Sequence, residues 1–197
     1  VLAVHPSVPV KSVKELIALA KSKPGKLNYS SSGLGSSNHM AGELFKLTAG
    51  INIVHVPYKG SAPAIADLLG GHVQMTFDTI TVVQPLVRAG RLKGLAVATP
   101  VRSALAPDLP TIDESGIKGF TGGTWFGVLA PARTPGAVVT LLNAEMVRIL
   151  RAPDAVAAFL DRGIEPAPMS PQEFRSFIDA ETGKWVKVAR EAGIKPE

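Results

Sequence analysis

Cysteine is absent from these 197 residues, which excludes a disulfide framework, a thiolate nucleophile and any zinc–thiolate site. Its absence assigns no compartment, although it is compatible with an oxidising one. Aromatic residues make up only 6% of the chain and do not interleave with the bases, so there is no stacking platform and no nucleic acid partner is expected. No apolar run approaches the roughly 20 residues needed to span a bilayer. The familiar phosphate and nucleophile motifs are missing too. Gly33-x-Gly35 begins like a dinucleotide fingerprint, but Asn38 stands where its third glycine belongs, and no acidic residue ends the next strand. There is no GxxxxGK[ST] and no G-x-S-x-G. The four histidines, His5, His39, His55 and His72, fall on different elements without ligand spacing, so neither a metal nor a cofactor is expected.

What remains is an ordinary globular composition, 46% hydrophobic and 19% charged. The formal charge of +5 comes from 21 Lys and Arg against 16 Asp and Glu, a balance that favours anionic partners in general. The bases are scattered, with Lys11, Lys14, Lys21, Lys23 and Lys26 bracketing one helix, which reads as a solvated basic face. Val1–Val4 is already an apolar, β-like run with no initiator Met and no signal peptide. The chain is therefore expected to be a processed or truncated piece of something longer.

Strand and helix signals alternate from there. Ser12 and Glu15 form a capping box ahead of a helix with Val13, Leu16, Ile17 and Ala20 inward. A strand at Leu27–Ser30 leads through a loop into a helix ending at Gly50. A strand at Ile53–Val56 then turns at Pro57–Gly60 into a helix with Ser61 as its expected N-cap. A strand at Val73–Phe77 turns at Asp78-Thr79 into a helix from Ile80 to Ala89, and Leu92–Ala98 is a further strand. This alternation predicts a largely parallel α/β sheet with helices on both faces, every strand ending on one edge. From Thr99 to Thr124 proline and glycine mark an irregular connection with one helical turn near Ile112–Ser115. Trp125–Ala130 reads as a strand, followed by helices from Thr134-Pro135 and Pro153, a short strand at Ile164–Pro166, and a last helix from Ser170-Pro171 to Gly193. That tail has too few strands for the sheet its helices would cover.

Three strand-to-helix junctions carry the polar chemistry. Between Ser30 and Ser37 lie five serines and two glycines. A helix start has unpartnered N–H groups and partial positive charge, glycine lets a ligand approach the backbone, and hydroxyls add donors. Such a junction suits reversible capture of an oxyanion. The second junction holds Lys59, a point charge in a turn, and the third holds Asp78, either a helix cap or an acceptor for a ligand ammonium, hydroxyl or water. In an open α/β sheet all three converge on one edge, where ligands bind. His39, in the first turn of the loop's own helix, is read as packing or hydrogen bonding. Trp125 and Phe126 either wall a cleft or pack in a core.

These features sit within HPSVPVKSVKELIALAKSKPGKLNYSSSGLGSSNHMAGELFK, IVHVPYKGSAPAIADLLGGHVQMTFD, LKGLAVAT, DLPTIDESGIKGF and TWFGVLAPARTP. In order and spacing they resemble the Bug-type, TctC-like substrate-binding proteins of tripartite tricarboxylate transporters, which are periplasmic two-lobed solute receptors. The resemblance implies a type II periplasmic-binding (Venus flytrap) fold of class α/β: residues 1–5 as an outgoing hinge strand, residues 6–118 as the ligand lobe, and residues 119–197 as a return hinge strand plus part of an incomplete second lobe. It implies that Ser31, Ser32, Gly33, Gly35 and Ser36 hold a ligand carboxylate, that Lys59, Gly60 and Ser61 form the second loop, and that Asp78 and Thr79 form the third. Thr79 stands where many relatives have asparagine or serine, which leaves the distal specificity open. It further implies a periplasmic location, no catalysis, a small carboxylate ligand (a di- or tricarboxylate, an acidic amino acid or an aromatic acid) and the membrane components of a tripartite transporter as partners.

Two alternatives come from other classes. A serine of the Ser30–Ser37 loop would serve a hydrolase or transferase, for which His39 is the only nearby base and no third group orients it. An effector-binding module of a regulator would share the lobe, but no helix-turn-helix segment is visible. A separate expectation concerns the fragment: exposed apolar tail surface and an unpaired sheet edge favour self-association.

Overall fold

Among the described residues five strands form one sheet, four running the same way and the fifth inserted among them. A computed structural model describes residues 1–194; the last three residues of the segment expected over 119–197 lie outside the described residues. The chain divides into two compact units, Val1–Thr124 with the helix end from Val188, and Trp125–Lys187.

The first unit is built from β1 (Leu2–Val4), α1 (Val13–Ser22), β2 (Asn28–Ser31), α2 (Ser37–Ala49), β3 (Val54–Pro57), α3 (Ser61–Leu69), β4 (Met75–Phe77), α4 (Ile80–Arg88) and β5 (Lys93–Ala96). Sheet order is β3-β2-β4-β1-β5. β2 pairs in parallel with β3 and β4, whereas β1 runs antiparallel to both β4 and β5. The expected largely parallel sheet is therefore mixed, because the opening run joins its interior from the opposite direction. Ser12 caps α1 as anticipated, accepting from Glu15 N–H at 3.2 Å, while the Glu15 carboxylate takes the Lys11 N–H at 2.7 Å.

Strand alternation sorts the core into two layers. Leu2 pairs with Phe77, and Met75 with both Val4 and Tyr29, so these residues share the face on which Phe45 of α2 meets Phe77 at 5.6 Å between ring centroids. Ala3 points the other way, into a cluster with Ile65 and Leu68 of α3, Val83 of α4, Val73 and Leu92. Gly42 lets α2 press onto this sheet: a Cβ there would lie 2.2 Å from the Tyr29 ring. The irregular connection after β5 has a turn at Thr111–Ser115, where Thr111 and Glu114 cap each other reciprocally at 2.8 and 2.9 Å.

The second unit holds α5 (Gly136–Arg151), α6 (Pro153–Leu160) and most of α7 (Pro171–Glu191). Ser170 and Glu173 form a capping box at the start of α7, at 2.8 and 3.2 Å. Two expected strands do not form here. Trp125–Ala130 and Ile164–Pro166 have no ladder, because a strand needs a hydrogen-bonding partner and none stands beside them among the described residues.

Candidate functional site

The loop after β2 is held by its own serines. Gly33 and Gly35 adopt φ of +143° and +69°, which a side chain would resist, and between them they turn the chain back into α2. Ser36 is the N-cap, its Oγ accepting from His39 N–H at 3.3 Å and donating to Gly33 O at 2.7 Å. Ser32 Oγ donates to Asn38 Oδ1 at 3.2 Å. Ser31 Oγ lies 3.0 Å from Gly33 O and 2.6 Å from His55 Nε2, and accepts from Gly33 N–H at 3.2 Å. Ser32 and Ser36 thus spend their hydroxyl protons within the loop and the first turn of α2, and the Ser31 hydroxyl lies between Gly33 O and His55 Nε2. What remains is main chain: among the described residues no acceptor meets the N–H groups of Leu34, Ser37 and Asn38, the last two being the first residues of α2.

The three junctions are hydrogen-bonded to one another in a closed triangle. Gly60 N–H donates to Ser32 O at 3.0 Å, joining the second loop to the first. Asn38 Nδ2 donates to Phe77 O at 2.6 Å, joining the first to the third. Ser61 Oγ donates to Asp78 Oδ2, joining the second to the third. Ser61 was expected to cap α3, but Gly60 is the N-cap, at φ +111°, because that turn needs positive φ and the Asp78 carboxylate is the better acceptor for the hydroxyl. Asp78 is buried; its other oxygen takes the N–H of Thr79, which caps α4 through its main chain alone. Lys59 and Thr79 are exposed beside these contacts.

Beside the loop lies a polar stack in which Tyr29 and His39 are buried and His55 is half-buried. The His39 and His55 rings are parallel, 3.9 Å apart at 14°, and Tyr29 stacks on His55 at 4.9 Å. Gly35 N–H donates to His39 Nδ1 at 3.0 Å. Tyr29 OH donates to Glu43 Oε1 at 2.7 Å, and Lys46 pairs with Glu43 at 3.0 Å. Burial lowers both imidazoles, His55 to about 4, and raises the Tyr29 phenol.

A family model described as "Tripartite tricarboxylate transporter family receptor" matches residues 1–194. The chain belongs to this family. It is 37% identical over 195 residues to Protein BugT of Bordetella pertussis, covering 99% of this chain and 60% of that one. Among solved structures it is similar to R. palustris Rpa4515 with adipate (42% identity, TM-score 0.83, 100% of this chain and 66% of that one). It is also similar to MatC from Rhodopseudomonas palustris with bound malate (30% identity, TM-score 0.75, 95% and 65%). The chain thus spans about three-fifths to two-thirds of the length of these relatives. Its fold is that of the family's periplasmic binding proteins, a mixed α/β sheet flanked by helices.

Within a receptor family, the Ser31–His55 contact reads as scaffolding. Ser31 is wholly buried, and His55 is held far below the ordinary imidazole value, so the pair offers no exposed nucleophile and only a weak base. The nearest base to a loop serine is His55, not His39 as the sequence suggested, because β3 lies beside β2 with His55 opposite Tyr29. Asn38 was also missed as a clip between junctions. Its position, two residues after an N-cap serine, is the one signal that could have marked it.

Proposed function

We propose that this chain carries the ligand loops of a periplasmic, non-catalytic receptor that captures a small carboxylate for a tripartite transporter. The closed triangle of hydrogen bonds among the three junctions supports this reading most directly. A rigid edge presents the free N–H groups of Leu34, Ser37 and Asn38 at a helix start, where a carboxylate is favoured by both donors and dipole. Each charge-assisted bond contributes about 1.5–3 kcal/mol. The adjoining Asp78 repels a second carboxylate at close range and instead accepts from a ligand hydroxyl, ammonium or bridging water, while Lys59 adds positive charge near the rim. The adipate and malate bound by the two structural relatives make dicarboxylates the first candidates among di- and tricarboxylates, acidic amino acids and aromatic acids. The same reading takes residues 1–5 and the stretch after 119 as the two crossings of a hinge.

The test removes one donor without disturbing the helix. Ser37 follows the N-cap, a position where proline is tolerated, and Ser36 before it already has the extended ψ of 159° that proline requires. Ser37→Pro should weaken malate or adipate binding by about tenfold or more, as expected for a lost charge-assisted hydrogen bond, while leaving the melting temperature within a few degrees. Calorimetric titration showing wild-type affinity in this variant would sink the assignment.

A further inference from the structure

The stacked imidazole pair does more than fill space. A backbone N–H can donate only to an unprotonated nitrogen, so the 3.0 Å bond from Gly35 to His39 Nδ1 fixes that ring as neutral with its proton on Nε2. We propose that His39, with His55 stacked on it, is the positioning residue of the carboxylate loop: it holds Gly35 in its left-handed turn, and thereby the N–H groups at the start of α2, only while the ring is neutral. The proposal rests on the carboxylate reading above.

The geometry links both ends of the loop to the stack. Ser31, where the loop leaves β2, meets His55 Nε2 at 2.6 Å; Gly35, where it enters α2, meets His39. One ring pair, 3.9 Å apart, therefore sets the span between them. Protonating His39 at Nδ1 would turn N–H against N–H at Gly35 and place a cation against His55. The other charged or titratable groups facing the pair are Tyr29 from β2 and Glu43 and Lys46 from α2. Glu43 favours an imidazolium, but its carboxylate is already taken by Tyr29 and Lys46, and Lys46 opposes it. Burial outweighs them, and both rings stay neutral below the ordinary value of 6.5. The loop then loosens as pH falls below 6.5, not as it rises.

Two variants separate the ring from its nitrogen. His39→Phe keeps a stacked ring and removes the acceptor; His39→Asn keeps an acceptor at the δ position and removes the titration. Hydrogen exchange at the Gly35 amide should speed up about tenfold or more in His39→Phe and stay protected in His39→Asn. Malate and adipate affinity, by calorimetry, should fall about tenfold in His39→Phe and recover in His39→Asn. The ratio of wild-type to His39→Asn affinity, in which the ligand's own titration cancels, should decline as pH falls below about 6.5. Unchanged Gly35 exchange in His39→Phe, unchanged affinity despite faster exchange, or a pH-independent ratio would each overturn the proposal. A wild-type protein that binds neither acid would overturn the carboxylate reading instead, and the Gly35 exchange rates would still judge the histidine anchor separately.

Discussion

Each unit of this chain contains a trio of aromatic rings at nearly the same spacing. In the sheet unit Phe45, Phe77 and Phe120 lie 5.6–6.4 Å apart, and all three are buried. In the helical unit Trp125, Phe174 and Phe177 lie 5.2–6.3 Å apart, yet Trp125 is 41% exposed and its neighbour Phe126 is 85% exposed. Not one described residue of Trp125–Lys187 is buried. Ring contact is common to both trios; removal from water is not. Hydrophobic stabilisation follows area taken out of solvent, so two similar constellations should differ severalfold in what they contribute. The sheet makes the difference, since it offers each flanking helix a continuous apolar face.

The largest expected effect breaks that comparison directly. Phe45→Ala should cost about 3–5 kcal/mol in denaturant unfolding, the usual range for a fully buried ring. Phe177→Ala removes a similar ring from a half-exposed site and should cost about 1 kcal/mol. Equal losses would mean that contact geometry, not burial, sets the energy of these clusters.

A second pair sharpens the same point through glycine. A Cβ at Gly42 would lie 2.2 Å from the Tyr29 ring, and a Cβ at Gly127 would lie 2.2 Å from the Phe174 ring. Tyr29 is wholly buried, stacked on His55 and bonded to Glu43, so it has nowhere to go. Gly42→Ala should lose about 1–3 kcal/mol, as overpacking in a filled core does. Phe174 is partly exposed and can swing outward, so Gly127→Ala should change stability by about 0.5 kcal/mol or less. Thermal or denaturant melts of the two variants side by side decide the matter.

How much of this was legible in the sequence also divides along the unit boundary. In the sheet unit every strand and helix was readable from periodicity and caps, because each local signal had a partner to confirm it. The direction of β1 was not, since an apolar run of four residues carries no sign of which way it enters a sheet. In the helical unit Trp125–Ala130 has the composition of a strand but no ladder, and composition cannot show whether a partner exists. At the site, the three junctions were visible as polar residues between strand and helix. Their wiring was hidden, because Asn38 to Phe77 joins the start of α2 to the end of β4 and Ser31 to His55 crosses from β2 to β3, and only the fold reveals that strand order. The serines read as ligand donors from the sequence, and their own bonds, Ser31 and Ser36 to Gly33 O and Ser32 to Asn38 Oδ1, could not be seen before the turn at Gly33 was known.

The smallest effects concern pH, and here the units should part in sequence. Burial holds His55 neutral down to about 4 against 6.5 in an unfolded chain, and lowers His39 as well. Between those values only the unfolded state binds the extra protons, so stability present above 6.5 is lost progressively as pH falls toward 4. In the helical unit the Glu173 carboxyl is held below 4.5 by the Ser170 N–H in the cap of α7. That cap persists above 4.5 and weakens only as pH falls below it. Both tryptophans, Trp125 and Trp185, lie in the helical unit, so their emission reports that unit alone. Lowering pH should therefore raise amide exchange in β2 and the Ser31–Ser36 loop first, while tryptophan emission stays constant until below 4.5. Simultaneous transitions by both probes would show that the two units respond to acid as one, and would remove the histidine stack as the first group to yield.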